Sequence, residues 1–492
     1  LIESPITSPP EHREPTLAEA LTPVVAMAVF LALGRLVFDA PIEILLIVAA
    51  IVTGLVALRL GYSWREMEAG IVESIAKAMP ALLILTLVGA LIASWIVCGT
   101  IPMIVYYGLK VISPDWFLVT ACLVCCVISV VTGTSWGTIG TVGLALVGIA
   151  EGLGAPLGPT AGAVVAGSYF GDKLSPFSDT TNLAPIAARS NLYDHIAHLL
   201  WTTTPALLLS LAVYVIVGRG SGGTAAPESV AKISAGIESI FRLSPWLLLP
   251  PAITLGAAIL KKPIIPGMLL SIVVAYLLAV AMQDIDDRVL GAYSGVGDRP
   301  PPRTAVRIAA TMIGGPTPAT GDAGMDRLIG RGGMARMMPT TLIAICAFCF
   351  AGIAQKTRML EVLLRALTKI TKTTGQLVLA TVGSSILVAL MTGNSYLSIL
   401  IPGELFREAF KARDLAAKNL SRICEDAGTV VVPLVPWSIA SVYITGVLNV
   451  PTADYAPWAI FCYTGFMFSI LYGFTGFAIA PRKREDETQI GS

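Results

Sequence analysis

Apolar segments of about 20 residues follow one another along this chain, and a run of that length with almost no charge is what crosses a bilayer. Segments 21–38, 41–60, 116–132, 196–217, 263–282 and 458–479 are of this kind. In lipid every backbone N–H and C=O must find its partner inside the protein, which restricts such segments to helices or a closed barrel. Segments of this length select helices. Composition agrees: 13% of the residues are charged, against about 25% in soluble domains. The expectation is an all-α polytopic membrane protein embedded in a lipid bilayer. With 33 basic and 32 acidic residues, no basic stripe offers itself to nucleic acid.

The spans are interrupted at a few polar places. Residues 167–185, GSYFGDKLSPFSDTTNLAP, hold two aspartates, a lysine and several hydroxyls, with Gly171 and Pro176 breaking any smooth helix. Residues 132–141 and 392–398 are rich in Gly and hydroxyls, and 421–429 carries Glu425 and Asp426. An amphipathic piece at 63–78 reads as an interfacial helix. Residues 122–126, CLVCC, lack a His or acidic neighbour and read as small packing residues.

The breaks are duplicated. Thr132-Gly133-Thr134-Ser135-Trp136 recurs as Thr392-Gly393-Asn394-Ser395-Tyr396, and Pro176-Phe177-Ser178 as Pro436-Trp437-Ser438, both 260 residues later. Ala166-Gly167-Ser168 and Met79-Pro80 recur at nearly the same spacing. The chain therefore divides into a polar tail (1–20), a first transmembrane repeat (21–217), a linker (218–244), a second repeat (245–480) and a second polar tail (481–492). About five crossings plus a re-entrant hairpin in each repeat make the repeats inverted, and the interrupted helices of both halves then meet at the site. An old duplication with the site in one half is the alternative.

The breaks suggest ion chemistry. Glycines let carbonyls turn inward, and hydroxyls are hard oxygen ligands suited to sodium. A Gly/Ser/Thr packing face is the other reading. A carboxylate in a membrane segment costs about 2.5–3.5 kcal/mol or more, so Asp172, Asp179 and Asp426 are functional candidates. Lys173 is a candidate partner for one aspartate, and Arg422 for Glu425 or Asp426. A carboxylate in low dielectric holds its proton and a bound cation expels it, so competition of sodium and proton for one carboxylate gives exchange. That logic makes Asp172, Asp179 and Asp426 the exchange groups. His195 and His198 open a span and read as an interfacial cap. No nucleotide fingerprint, P-loop or nucleophile–base pattern appears, so neither an enzyme nor an ATP-driven pump is expected, and no cofactor is implied.

GTSWGTIGTVGLALVGIAEGLG followed by AGSYFGDKLSPFSDTTNLAP resembles the NhaC family of bacterial sodium/proton antiporters. RGGM at 331–334 and LSRICEDAGTVVVPLVPWSIASVYITGVL at 420–448 are similar to that family's other recurring segment. The resemblance implies an inner-membrane secondary transporter with inverted repeats and re-entrant hairpins, exchanging sodium for protons. Some relatives instead couple sodium or protons to organic acids such as malate and lactate, or to amino acids. The matching positions for ion or substrate binding are Thr134, Ser135, Asp172, Ser178, Asp179, Thr180, Asn182, Asn394, Ser395, Glu425, Asp426 and Thr429, with sodium held by a subset. GNSYLSI at 393–399 departs from the family's NxxxGxQY pattern. A channel or scaffold is a third class, and it has no use for duplicated broken helices. A homodimer is an open option for the assembly.

Overall fold

The computed structural model describes residues 12–220, 227–291, 304–369 and 371–482. Residues 1–11 and 483–492 of the expected tails, 221–226 of the linker and 292–303 of the polar stretch before the second-half spans lie outside the described residues. Among those described, nearly everything is helix, and the one strand-like pairing is an isolated bridge between Leu415 and Pro481.

The first half runs α1 (Leu17–Phe38), α2 (Ile42–Arg59), α3 (Trp64–Val97), α4 (Thr100–Val111), α5 (Phe117–Thr132), α6 (Ser135–Leu153), α7 (Leu157–Leu174), α8 (Asp179–Ala188) and α9 (Leu192–Gly220). After α10 (Pro227–Ile240), the second half runs α11 (Pro245–Ile259), α12 (Ile264–Met282), α13 (Thr304–Gly314), α14 (Met338–Lys356) and α15 (Met359–Thr368). It ends with α16 (Thr374–Thr392), α17 (Ser395–Lys411), α18 (Ala417–Gly428), α19 (Ile439–Leu448) and α20 (Ile460–Thr475). Nine of the described helices are long and apolar enough to cross a membrane, or up to 12 spans if three bent pairs each count as one. The chain is a multi-pass membrane protein.

The repeat seen in the sequence is built into the helix ends. Helix α5 stops at Gly133 (φ 69°) and α16 at Gly393 (φ 61°), both in the left-handed region that glycine adopts without strain. Thr134 and Asn394 then cap α6 and α17. Pro176 holds Ser175 in extended backbone, which ends α7, and Pro436 does the same to Val435, which closes the short 3-10 turn Val432–Leu434 that follows α18. Ser178 and Ser438 restart the chain as N-caps of α8 and α19. Both restarted helices are 10 residues long and end on a left-handed residue, Arg189 and Asn449. Local chemistry thus writes the same hairpin and the same broken helix twice.

Helices α5 and α7 are pressed together through small residues. A Cβ on Gly167 would lie 2.1 Å from the Cys122 carbonyl oxygen, and one on Gly171 would lie 2.4 Å from that of Cys126. Backbone cannot yield as a flexible side chain can, so these glycines set the helix separation. The cysteines of CLVCC sit in this contact.

Some expectations are corrected. Residues 64–78 are helical, with Trp64 and Val72 exposed, but they are not a separate helix. They are the first half of the 34-residue α3, in which no cap or left-handed residue separates them from 79–97. Their small face meets α14, where Gly70 and Gly352 bring the two backbones together. In the stretch read as a linker, Ile237 of α10 and the following Phe241 pack into the core, and Glu238 takes a hydrogen bond from the Tyr106 hydroxyl on α4. RGGM at 331–334 is an internal contact as well. The Gly333 N–H donates to the Gly89 carbonyl of α3 at 2.6 Å, and Arg331 pairs with Glu151 at the end of α6.

Gly167→Ala is expected to destabilise the protein by about 1–3 kcal/mol, the usual cost of overpacking. Gly256→Ala, where nothing lies within 4 Å of the added carbon, is expected to leave stability unchanged or raise it. Thermal melts of detergent-purified protein compare the two.

Candidate ion-binding site

Each hairpin tip rests on the broken helix of its own half. A Cβ at Gly133 would lie 2.6 Å from Cβ of Phe177, and the Ile439 N–H donates to the Gly393 carbonyl at 3.3 Å. Each tip also reaches the broken helix of the other half. Trp136 stacks on Tyr443 of α19 with ring centroids 4.5 Å apart, and the Tyr443 hydroxyl donates to the Trp136 carbonyl at 2.8 Å. Tyr396, the repeat mate of Trp136, donates its hydroxyl to Asp179 of α8 at 3.4 Å. The tertiary fold thereby gathers all four interruptions into one layer.

At its centre are two buried carboxylates from opposite halves, each within the other's electrostatic reach. Asp172, on the last turns of α7, is buried and accepts a hydrogen bond from Ser135 Oγ at 2.8 Å. Glu425, on α18, is fully buried. Neither of its oxygens has a hydrogen-bond partner among the described residues, and Thr429 Oγ1 is equally without one. The groups acting on Glu425 are the charges of Lys173 and Asp172 and the hydroxyls of Thr429 and Thr180. Ser178 is also close to Asp172 and shares a 3.2 Å hydrogen bond with Thr180. Ser135, Asp172, Ser178, Thr180, Glu425 and Thr429 therefore form one enclosed set of hard oxygen donors. A buried carboxylate without donors is costly unless a cation or a proton joins it. Oxygen-only donors favour a hard cation over a soft one.

The next residue on each helix faces another way. Lys173 and Asp426, both fully buried, form an ion pair between the two halves. Asp426 also accepts from Thr202 Oγ1 of α9 at 3.1 Å and from Ser469 Oγ of α20 at 2.6 Å. Consecutive helical residues point about 100° apart, so neighbours in sequence serve two different sites.

The remaining expected site residues divide by what they touch. Asp179 is exposed, on the first turn of α8, and touches only the rim of the cluster. The Asn182 amide donates to the carbonyls of Pro176 at 2.9 Å and Ser178 at 2.7 Å, so it closes the break. Thr134 and Asn394 spend their oxygens capping α6 and α17. Ser395 is half-buried at the second tip.

Several expectations change here. The second-half break is not 421–429, since α18 is continuous through Gly428; the chain leaves the helix after it and bends by 47° before α19. Prolines 433 and 436, not the acidic residues, mark that break. Arg422 pairs with neither acid. Its guanidinium donates to the Ala478 carbonyl at 2.8 Å and lies 3.0 Å from His198 Nε2. His195 and His198 are not surface caps but buried contacts of α9 with Ser421 and Asn419 of α18. Sequence reasoning missed Thr202, the first of three consecutive threonines, and Ser469, both inside apolar spans. Their only signal is that polarity, and it does not say what they face.

The model of the Na+/H+ antiporter family matches residues 16–181 and 167–477. An uncharacterized Na(+)/H(+) antiporter of Haemophilus influenzae is 44% identical over 476 residues, covering 96% of this chain and 98% of that protein. The Na(+)/H(+) antiporter NhaC of Alkalihalophilus pseudofirmus is 35% identical over 443 residues, 90% of this chain and 91% of the relative. A malate-2H(+)/Na(+)-lactate antiporter of Bacillus subtilis is 32% identical over 470 residues, 94% and 96% of the two chains.

Asp426→Asn leaves the Lys173 ammonium buried without its counter-charge and is expected to destabilise the protein by about 3–5 kcal/mol. Glu425→Gln removes no partnered charge and is expected to leave the melting temperature in sodium-free buffer unchanged or higher. Melts of the two variants side by side check the contrast.

Proposed function

The chain belongs to the Na+/H+ antiporter family, and on that premise we propose that it exchanges sodium for protons at the Asp172–Glu425 cluster, in the cytoplasmic membrane. The observation that carries this reading is Glu425, fully buried with neither oxygen hydrogen-bonded among the described residues, in one cluster with Asp172 and four hydroxyls. Sodium satisfies such a set by direct coordination. A proton satisfies it by making a carboxyl neutral. Either ion removes the cost of an uncompensated buried carboxylate, and neither can bind fully while the other is present.

Exchange follows from that competition. A core carrying bare carboxylates is penalised in any conformation that withdraws it from water. A core loaded with sodium or with protons is not, so loaded states cross and the empty state does not. The paired tips and broken helices supply the mobile element, with the two halves running in opposite directions through the membrane so that each opens the cluster to one side. No covalent chemistry is required of the chain, and no resident cofactor enters the scheme. Its partners are the bilayer and the two ions.

A second reading has one specific observation in its favour. Arg422 is fully buried, and its Nε and Nη2 have no acceptor among the described residues. A guanidinium so placed suits a carboxylate, and the malate-2H(+)/Na(+)-lactate antiporter is named for organic acids. In this reading an organic acid travels with the ions.

Proteoliposomes carrying a pH-sensitive dye separate these readings. Adding NaCl is expected to release protons from loaded vesicles, and adding malate without sodium is expected to release none. Asp172→Asn and Glu425→Gln are expected to bring the sodium signal down to that of protein-free vesicles. Asp179→Asn, at the exposed rim, is expected to keep most of it. A full signal from both cluster variants would falsify the assignment, and a signal that needs malate would favour the second reading.

A further inference from the structure

The Lys173–Asp426 pair has the build of an ion site of its own. Four helices, two from each half, close on Asp426. Lys173 comes from α7, Thr202 from α9, Ser469 from α20, and Asp426 itself from α18. All four side chains are fully buried. The Asp426 carboxylate with the Thr202 and Ser469 hydroxyls makes a set of hard oxygens of the same chemistry as the Asp172–Glu425 cluster. Gly465, one turn before Ser469, leaves the space beside the pair clear: a Cβ there would be 3.7 Å from Asp426 Oδ1 and 3.9 Å from Lys173 Nζ. The face of Phe461, 5.7 Å from the ammonium, adds the other kind of surface that favours a cation.

We infer that the Lys173 ammonium is a tethered cation filling a second sodium-type site made by Asp426, Thr202 and Ser469. Among the described residues three carboxylates are buried, Asp172, Glu425 and Asp426, and the ammonium answers one of them. Two remain for mobile ions. The side chain at position 173 thereby sets how many sodium ions the core takes up. A buried ion pair is weak evidence for stability, since apolar replacements of both partners are often as stable. The two hydroxyls satisfy the lone pairs that the ammonium leaves on Asp426, and they come from the last helix of each half. The inference takes from the proposed function only the identity of the ion. The site itself is argued from geometry.

The test uses full-length protein in detergent, with Lys173→Met and the double variant Lys173→Met/Asp426→Asn. Equilibrium binding of radioactive sodium gives the number of ions per chain, and thermal melts in NaCl are compared with melts in choline chloride at equal ionic strength. Lys173→Met is expected to bind one more sodium than the unmodified protein and to melt higher in NaCl than in choline chloride by a wider margin. The double variant, with no charge left to answer, is expected to lose both gains. A Lys173→Met protein that binds no additional sodium, or is no better protected by NaCl than the unmodified chain, overturns the inference. An unmodified protein that binds no sodium, beside a Lys173→Met variant that binds one, supports the tethered cation and counts against sodium exchange at the Asp172–Glu425 cluster.

Discussion

A helix interrupted inside a membrane leaves peptide groups that lipid cannot satisfy, and each break here is held by protein groups supplied for that purpose. Asn182 takes up the carbonyls of Pro176 and Ser178, while the Thr181 hydroxyl covers those of Asp172 and Lys173. In the second half Ser438 Oγ reaches the Val432 carbonyl, and the Gly393 tip accepts the Ile439 N–H. These groups make the breaks rigid features. A rigid break can hold a carboxylate at a fixed place in the span, which a mobile loop cannot.

The same rule of satisfaction applied to charge separates two kinds of acid. Asp426 has every need met by an ammonium and two hydroxyls. Neither oxygen of Glu425, its neighbour in sequence, has a hydrogen-bond partner among the described residues. In a medium of low dielectric the first is a fixture, and the second is incomplete until an ion or a proton arrives. Two adjacent letters of the sequence thus carry opposite roles. The difference arises from the helix turn between them, which aims one at α9 and α20 and the other at Asp172.

Much of the fold was legible because its signals are local. Pro176 and Pro436 hold the residues before them in extended backbone, Gly133 and Gly393 permit the left-handed exits, and the 260-residue spacing ties these signs together. The misreadings came where the local signal was right and its surroundings were missing. The helix expected at 63–78 is real, but it continues into the span that follows, and α14 packs on it at Gly70. His195 and His198 begin a span, as a cap would, yet α18 encloses them. Arg422 lies within a turn of two acids and turns from both toward Ala478. Asp172, Asp179 and Asp426 looked alike as intramembrane carboxylates, and the structure makes one a member of the donor set, one a rim residue and one half of an ion pair.

By itself, then, the sequence determined the membrane class, the duplication, the position of the first-half break and the polar interruptions at 132–141 and 392–398, and the family, because these rest on hydropathy, proline and glycine, which act within a few residues. Only the tertiary structure decided which acid is free. That depends on partners 253 residues apart for Lys173 and Asp426, and 224 apart for Thr202 and Asp426. A side chain's charge is written in its own letter, but whether that charge is answered is fixed by the helices that happen to close around it.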